Sequence, residues 1–417
     1  MNQLAIRPQP LGIFALPAGY LVLTPSSAPE AAPALAALLR GSVPTAWPPE
    51  WQFYAHALNG DVEAALAALP PQSDPLTRYN RYVLAGTPAD DLTLSALLDG
   101  ELNCLQGVAA FTMGHRSEPP ALAGTTGEIR ALVLVAHAAA AIERGDIQHA
   151  DQCFTEAHAA ALPVSPTLAG MIALNHAEFA LQHGGELTLI TRWLQQAIDL
   201  IPNENQCEPR ARAALQLGQL LQDHAHGQRG PLQAAVRCYQ EALRFYQRDT
   251  HPLEFAFIQN NLALAYLAMP MTEAGDRLRG AIAVQALRTA LTVYDPEHHP
   301  REWTSARLNL ANALQYVHSA RPAEHLLEAV AIYEDLLQRR DAKTDPAGYA
   351  RILANLGNAL AHLGVFAEAR ERLTQAATLF AQTGDTTAVA TVQELIANID
   401  LHETVAHTAD DSCDTVS

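Results

Sequence analysis

The apolar positions between residues 209 and 380 form pairs of helix-length segments that recur at a nearly constant spacing. The first segment of each pair carries a leucine, and these leucines lie 45, 48 and 46 residues apart, at Leu217, Leu262, Leu310 and Leu356. The second segments are predicted at residues 235–246, 283–294, 329–340 and 369–380. A long fixed period with two helices in each copy is typical of an α-solenoid. The sequence therefore predicts an all-α fold in which residues 128–401 form one right-handed superhelix without β-sheet.

Proline and small residues define the positions within each copy. A proline opens the first helix of every pair, where its fixed φ suits the first turn, at Pro209, Pro252, Pro300 and Pro346. Small residues follow at Gly218, Ala263, Ala311 and Gly357. Because bulk at these positions would hold neighbouring helices apart, we expect close helix contacts there.

Two stretches carry a family resemblance. Gly364, Ala369, Leu373 and Ala376 follow Leu356 and Gly357, and the stretch 129–163 repeats the arrangement with Gly145, Ala150, Phe154 and Ala157. These positions resemble the tetratricopeptide repeat, whose usual period is about 34 residues. The middle copies here are longer, as in the extended repeats of kinesin light chains and of bacterial multi-repeat proteins, which they resemble. The resemblance covers about two-thirds of the chain and implies a solenoid that presents a binding surface.

The ends of the chain do not follow the repeat. Residues 1–28 contain apolar runs at 11–16 and 20–24 around Pro17, which predict an irregular segment or a β-hairpin. The alternative is a signal peptide, which Pro17 and Gly19 disfavour. Residues 29–125 are predicted as a helical region, either degenerate repeats or a separate small domain that ends at a linker over 114–127. Beyond the array at 126–384, we expect a capping helix at 385–402 and a disordered tail at 403–417.

Composition narrows the function classes. The chain has 26 basic and 44 acidic residues, a formal charge of −18 that disfavours nucleic acid as a partner. Five cysteines without a close pair favour a reducing compartment over a disulfide framework. No apolar run without breakers is long enough for a membrane helix. The expected protein is soluble, cytoplasmic and not associated with a membrane.

Motifs for catalysis or cofactors are missing from the sequence. The chain has no phosphate-binding loop, no metal-spaced cysteine pair, no zinc-protease motif and no nucleophile elbow, so we expect neither an enzyme nor a bound cofactor. Asp223, His224 and His226, and the pair His298 and His299, could contribute metal ligands. Since neither cluster supplies three or four ligands locally, we interpret them as loop residues and predict no metal site.

Asparagine recurs at equivalent positions of the first helices. One position is occupied by Asn175, Asn261, Asn309 and Asn355, and the position three residues later by Asn312 and Asn358. In tetratricopeptide proteins that clamp peptides, such asparagines hold the peptide backbone, and the resemblance implies the same role here. Arg212 and Arg351 lie near the start of their helices and complete the predicted partner-binding set. The alternative interpretation is that each amide only bonds a neighbouring helix.

These patterns predict a non-catalytic scaffold or adaptor that binds a partner peptide or protein segment in the concave face of the repeats. Two alternatives stay open. One is a ligand- or peptide-responsive regulator in which the N-terminal region reports binding. The other is an accessory or maturation factor for an enzyme complex, which would require the histidine clusters to converge.

Overall fold

A computed structural model describes residues 4–71, 74–203, 208–270, 277–317 and 321–413. Within these ranges the chain forms nineteen α-helices and no β-strand. It divides into two compact units, Met1–Leu220 and Leu221–Ser417. The division falls inside one helix, α11, which spans Glu208–Asp223.

The first unit is built from ten complete helices and most of α11. The helices that precede the repeat-like region are α1 (Ala31–Leu39), α2 (Gln52–Leu58), α3 (Val62–Ala68), α4 (Pro75–Ala85), α5 (Pro88–Ser95) and α6 (Gly100–Thr112). The next four pack as two successive hairpins, α7 (Gly127–Glu143) with α8 (Ile147–Ala161) and α9 (Pro166–Gln182) with α10 (Leu187–Leu200).

The second unit contains three complete helix pairs. It begins with the end of α11 and α12 (Arg229–Ala242), and the pairs are α13 (Pro252–Ala268) with α14 (Arg277–Ala290), α15 (Pro300–Tyr316) with α16 (Pro322–Arg339), and α17 (Pro346–His362) with α18 (Phe366–Thr383). The last helix, α19 (Thr386–Cys413), packs on α18. Each second helix also packs on the first helix of the following pair. This arrangement is that of helical-hairpin repeats stacked on their nearest neighbours; its right-handed superhelical sense stays a prediction.

The first helices of these pairs lie side by side. α13 contacts α15, and α15 contacts α17. We call the surface formed by these three helices the first-helix face. Pro252, Pro300 and Pro346 open the three helices as predicted, so the same stretch of each helix is brought to an equivalent height on this face.

The predicted β-hairpin at the N-terminus is wrong. Residues 21–27 form neither helix nor strand, and Ala18–Tyr20 form a short 3-10 turn. Side chains replace the partner strand: Asn80 Oδ1 accepts the N–H of Val22 at 2.9 Å, and Asn80 Nδ2 donates to the Val22 carbonyl at 2.8 Å. The N–H of Leu23 is accepted by Gln9 Oε1 at 2.9 Å. Because these buried amides satisfy the N–H and carbonyl of Val22 and the N–H of Leu23, the run needs no neighbouring strand.

The segment 114–127 packs against the helices on either side of it. The Pro120 carbonyl lies 2.9 Å from Nε2 of His137 on α7, and Arg144 Nη1 lies 3.5 Å from Glu118. One buried apolar cluster extends from Leu4 to Phe179 and includes residues from both sides of the segment. Residues 29–125 therefore share a core with the first repeat-like helices. The sequence could not show this because the contacts are long-range.

The C-terminal helix is longer than predicted. It was expected to end at residue 402, and its backbone instead remains helical to Cys413. Val392 and Ile399 are buried on its inner face, as expected of a helix that caps an array. Residues 414–417 of the predicted disordered tail lie outside the described residues. Among the helices that the structure describes, none is long and apolar enough to cross a membrane.

Candidate functional site

Side-chain amides connect the helices of the first-helix face. Asn355 Nδ2 on α17 donates to Asn312 Oδ1 on α15 at 2.9 Å, and Asn358 Nδ2 donates to Gln315 Oε1 at 3.0 Å. Between α13 and α15 the described residues form one such bridge, from Asn309 Nδ2 to Asn260 Oδ1 at 3.0 Å. These asparagines are half-buried. Part of their hydrogen-bonding capacity is therefore already used in bonds between successive repeats.

A buried tyrosine of the second helix supports this network. Tyr333 on α16 is fully buried, and its hydroxyl donates to Asn312 Oδ1 at 2.7 Å and accepts from Gln315 Nε2 at 2.5 Å. Desolvation by burial raises the pKa of the Tyr333 hydroxyl, which keeps it protonated as a donor. With bonds from Tyr333 and Asn355, both acceptor positions of Asn312 Oδ1 are used.

The amide network is sparser between α13 and α15 than between α15 and α17, and a cavity of 620 Å³ lies beside it. At the two positions where α15 has Asn312 and Gln315, α13 has Leu264 and Leu267. Apolar contacts dominate the cavity, whose lining residues are Leu264, Tyr266, Leu267, Ala268, Met269, Arg279, Gly280, Asn309, Asn312, Ala313 and Tyr316. Small-molecule and side-chain sites are commonly concave, mostly apolar and about 300–1,000 Å³ in volume.

Two amide groups lining the cavity keep unused hydrogen-bonding capacity. Among the described residues, Asn312 Nδ2 has no acceptor and Asn309 Oδ1 has no donor, although the opposite end of each amide is bonded. Tyr316, at the mouth, is 62% exposed. The cavity thus combines mostly apolar walls with the amides of Asn309 and Asn312, two tyrosines and the guanidinium of Arg279. Such a mixture can bury an apolar group and hydrogen-bond polar groups beside it.

Arg351 is one of the cationic groups on the helices of this face. It is exposed on α17, one helical turn before Asn355 and two turns before Asn358. Within the described part of the chain it makes neither a hydrogen bond nor an ion pair. By comparison, Arg307 of α15 forms an ion pair with Asp335, with Nη2 3.2 Å from Oδ2, and its guanidinium lies over the Trp303 ring.

Three residues of the predicted partner-binding set remain: Asn261, Asn175 and Arg212. Asn261, half-buried on α13, has its Nδ2 buried without an acceptor among the described residues. Asn175 and Arg212 belong to the first unit. Asn175 is exposed on α9, and Arg212 Nε on α11 lies 3.0 Å from Oε1 of Glu178 on α9. The same Glu178 oxygen accepts from Gln216 Nε2 at 3.0 Å, so here a carboxylate bridges two first helices.

His298 and His299 lie directly before α15. No group of three or more histidine, cysteine or acidic side chains within the described ranges could hold a metal ion. His298 and His299 both approach Asp295, at 3.0 Å and 3.2 Å. Chiefly through the backbone N–H of His298, the pKa of Asp295 falls to about 2. The pair therefore belongs to a local turn before α15.

His176 on α9 is a packing residue. It is 2% exposed and lies between Phe154 and Trp193, with ring centroids 5.3 Å and 4.7 Å away. Its Nε2 lies 2.7 Å from Asp151 Oδ1. Desolvation lowers the pKa of the His176 imidazole, and Asp151 opposes that shift.

Replacing Asn355 with alanine is expected to lower the free energy of unfolding of the chain by about 1 kcal/mol, because the bond to Asn312 is lost while both sites stay half-solvated. Chemical denaturation measures this loss. Arg351→Ala is the control on the same helix, since its exposed side chain makes no bond there, and we expect a change within about 0.5 kcal/mol. Equal stability of the two variants would show that the amide bridges do not stabilise the stack.

Sequence reasoning missed the residues that make the cavity, namely Leu264, Leu267, Met269, Gly280 and Tyr316. A signal was present: the two positions that carry amides in α15 carry leucines in α13. Read alone, leucines in a helix indicate core, and only the spacing between α13 and α15 shows that they face an open volume.

The known proteins similar to this chain are solved structures. No protein-family model matches the chain, and no curated protein matches it. The apo form of RapI is 12% identical, with 85% of this chain and 97% of that chain covered and a TM-score of 0.43. A Rap protein complexed with competence and sporulation factor is also 12% identical, with 85% and 94% covered and a TM-score of 0.34. The TPR2AB domain of yeast Sti1 in complex with pHSP90 is 16% identical, with 65% and 98% covered and a TM-score of 0.25.

All three TM-scores are under 0.5, so the repeat fold rests on the helix pairs described above. Those pairs define an all-α protein built from stacked helical hairpins. The similarity to kinesin light chains stays a prediction.

Proposed function

We propose that this chain is a non-catalytic interaction protein that binds an extended peptide or protein segment on the first-helix face of its second unit. The observation that supports the proposal is the 620 Å³ cavity between α13 and α15, together with the unused amide groups of Asn309 and Asn312. A helical-repeat array offers such a face along several repeats, and an extended segment can contact several first helices at once.

The chemistry of the face favours binding over catalysis. The polar side chains that line the cavity are the amides of Asn309 and Asn312, the hydroxyls of Tyr266 and Tyr316 and the guanidinium of Arg279. These groups donate and accept hydrogen bonds but are poor proton-transfer groups near neutral pH. The cavity brings together no nucleophile with a neighbouring base, which covalent or acid–base catalysis requires.

The proposal is tested by selecting random displayed peptides on the purified chain and measuring the affinity of the enriched ones by fluorescence anisotropy. Tyr316→Ala removes a 62% exposed ring at the cavity mouth, and we expect at least tenfold weaker binding. Leu327→Ala is the matched control, since Leu327 is 59% exposed on the second helix α16. Failure to enrich any peptide, or equal affinity for both variants, would overturn the proposal.

A second candidate is a peptide-responsive regulator, in which the first unit reports occupancy of the second. It is favoured by the division of the chain into two compact units, the first with a buried core of its own. Hydrogen exchange separates the two candidates. Peptide-dependent protection confined to residues 221–401 supports a passive adaptor, and a change in α1 to α6 supports regulation.

A further inference from the structure

A second cavity lies in the first unit, between α3, α4 and α5. Its volume is 430 Å³, within the range of about 300–1,000 Å³ that is usual for small-molecule sites. Apolar wall comes from Leu66 on α3, Leu94 on α5 and Leu97 just after α5. Leu94 is 6% exposed, whereas Leu97 is 54% exposed, so the fold itself leaves apolar surface of the cavity uncovered.

Two arginines of α4 give the cavity positive charge. Arg78 and Arg81 both line it, and their spacing of three residues puts them on the same face of the helix. Arg81 donates from Nη2 to the carbonyl of Pro70 at 3.1 Å, which is its one hydrogen bond within the described part of the chain. Because a guanidinium has five N–H donors in a fixed fork, this bond orients Arg81 and leaves donors for a ligand.

Asp90 on α5 contributes the negative charge of the lining. Its Oδ2 accepts from the hydroxyl of Thr87 at 2.7 Å and from the N–H of Thr87 at 2.8 Å. Chiefly through the hydroxyl, these bonds lower the pKa of the Asp90 carboxyl, which is therefore ionised at neutral pH. Two guanidiniums and one carboxylate leave the lining with a net charge of +1. On a chain with a formal charge of −18, this is a place where one negative charge is accepted.

A carboxylate joined to an apolar tail matches this lining. The planar fork of an arginine suits the two oxygens of a carboxylate, and the tail can cover the leucines. A phosphate dianion carries more negative charge than the lining balances, and it is repelled by Asp90. An ammonium group is repelled by both guanidiniums.

We propose that the cavity between α3, α4 and α5 binds an aliphatic monocarboxylate, with its carboxylate on Arg81 and its tail against the three leucines. Arg78 adds long-range attraction, and Arg81 selects the charge. The site lies in the first unit and does not depend on peptide binding by the second.

The test is isothermal titration calorimetry of the full chain with hexanoate, octanoate and decanoate, kept below the concentrations at which they form micelles. Each added CH₂ should tighten binding by about two- to fourfold until the tail fills the cavity, four being the value for complete burial. Octan-1-ol and octylamine have the same tail without negative charge, and we expect both to bind about tenfold more weakly than octanoate. Octyl phosphate should also bind more weakly than octanoate.

Variants of Arg81 assign the charge preference. Arg81→Gln should weaken octanoate by about tenfold and leave octan-1-ol unchanged. Arg81→Glu turns the charge of the lining from +1 to −1, and it should bind octylamine better than the unaltered chain does. A merely structural role for Arg81 would not produce that gain. Arg237→Gln, at an exposed position of α12 in the second unit, is the control and should change nothing.

A leucine variant assigns the tail. Leu97→Asn should weaken octanoate and octan-1-ol alike, by about three- to tenfold, because the loss is one of apolar contact. Leu92→Asn is the matched control, since Leu92 is 74% exposed on α5 and does not line the cavity. Circular dichroism checks that each variant has kept its helices.

The results either support the proposal or overturn it. Equal affinities for octanoate, octan-1-ol and octylamine, or an octanoate affinity that neither Arg81→Gln nor Leu97→Asn changes, would overturn it. Tighter binding of octyl phosphate than of octanoate would rule out a carboxylate as the preferred head group. Octylamine binding gained by Arg81→Glu, together with the loss in Leu97→Asn, would establish the site. The selection of displayed peptides tests the proposed function separately, so either proposal can fail without the other.

Discussion

Asn80→Ala is expected to lower the free energy of unfolding by about 2–5 kcal/mol, because it leaves both the N–H and the carbonyl of Val22 without partners. Both residues are 0% exposed, so water cannot take the place of the amide. The same loss is expected for Asn80→Leu, which keeps the volume and removes only the hydrogen bonds. Chemical denaturation, followed by circular dichroism, measures it.

The exposed Asn59, just after α2, provides the control. Its side chain makes no hydrogen bond among the described residues, and Asn59→Ala should change stability by less than about 0.5 kcal/mol. A loss below about 1 kcal/mol for both Asn80 variants would mean that residues 21–24 do not depend on side-chain amides for their backbone partners.

Gly357→Ala is expected to destabilise the second unit by about 1–3 kcal/mol through overpacking. A Cβ at this position would lie 2.7 Å from Leu373 Cγ and 3.0 Å from the carbonyl oxygen of Ala369, so α18 has to move away from α17. The backbone oxygen cannot rotate aside as a flexible side chain can. Thermal and chemical unfolding of the purified chain check the loss.

The same substitution at Gly280 should have the opposite sign. Gly280 lies in α14, where the nearest atom to a Cβ would be Val317 Cγ2 at an ordinary 3.5 Å, and alanine is the better helix former by up to about 1 kcal/mol. The two changes are chemically identical, so a difference between them isolates the close approach of α17 and α18. If both substitutions stabilise the chain, that close approach does not limit the packing of this repeat.

The sequence alone determined the helices of the repeat region and much of their contact pattern. Proline predicts where a helix starts because its ring fixes φ and removes the N–H, as at Pro252, Pro300 and Pro346. Small residues predict close helix contacts because only they let two helices approach closely, as Gly357 does against Leu373. Both are local chemical constraints, and they hold in any fold that pairs these helices.

The tertiary structure decided what the local pattern leaves open. The run 20–24 reads as a strand, and it is not one because Asn80, 58 positions away, reaches its backbone. The recurring asparagines suggest a row of amides that are free to bind a ligand. Part of their hydrogen-bonding capacity is already used, because the spacing of α15 and α17 lets Asn355 reach Asn312. Leu264 and Leu267 read as core, and they border a cavity because the facing helix presents Asn309, Asn312 and Tyr316 instead of further apolar bulk. In each case the deciding partner comes from a distant part of the chain, and the distance between two helices, which no local pattern specifies, determines whether the side chain is buried, bonded or available to a ligand.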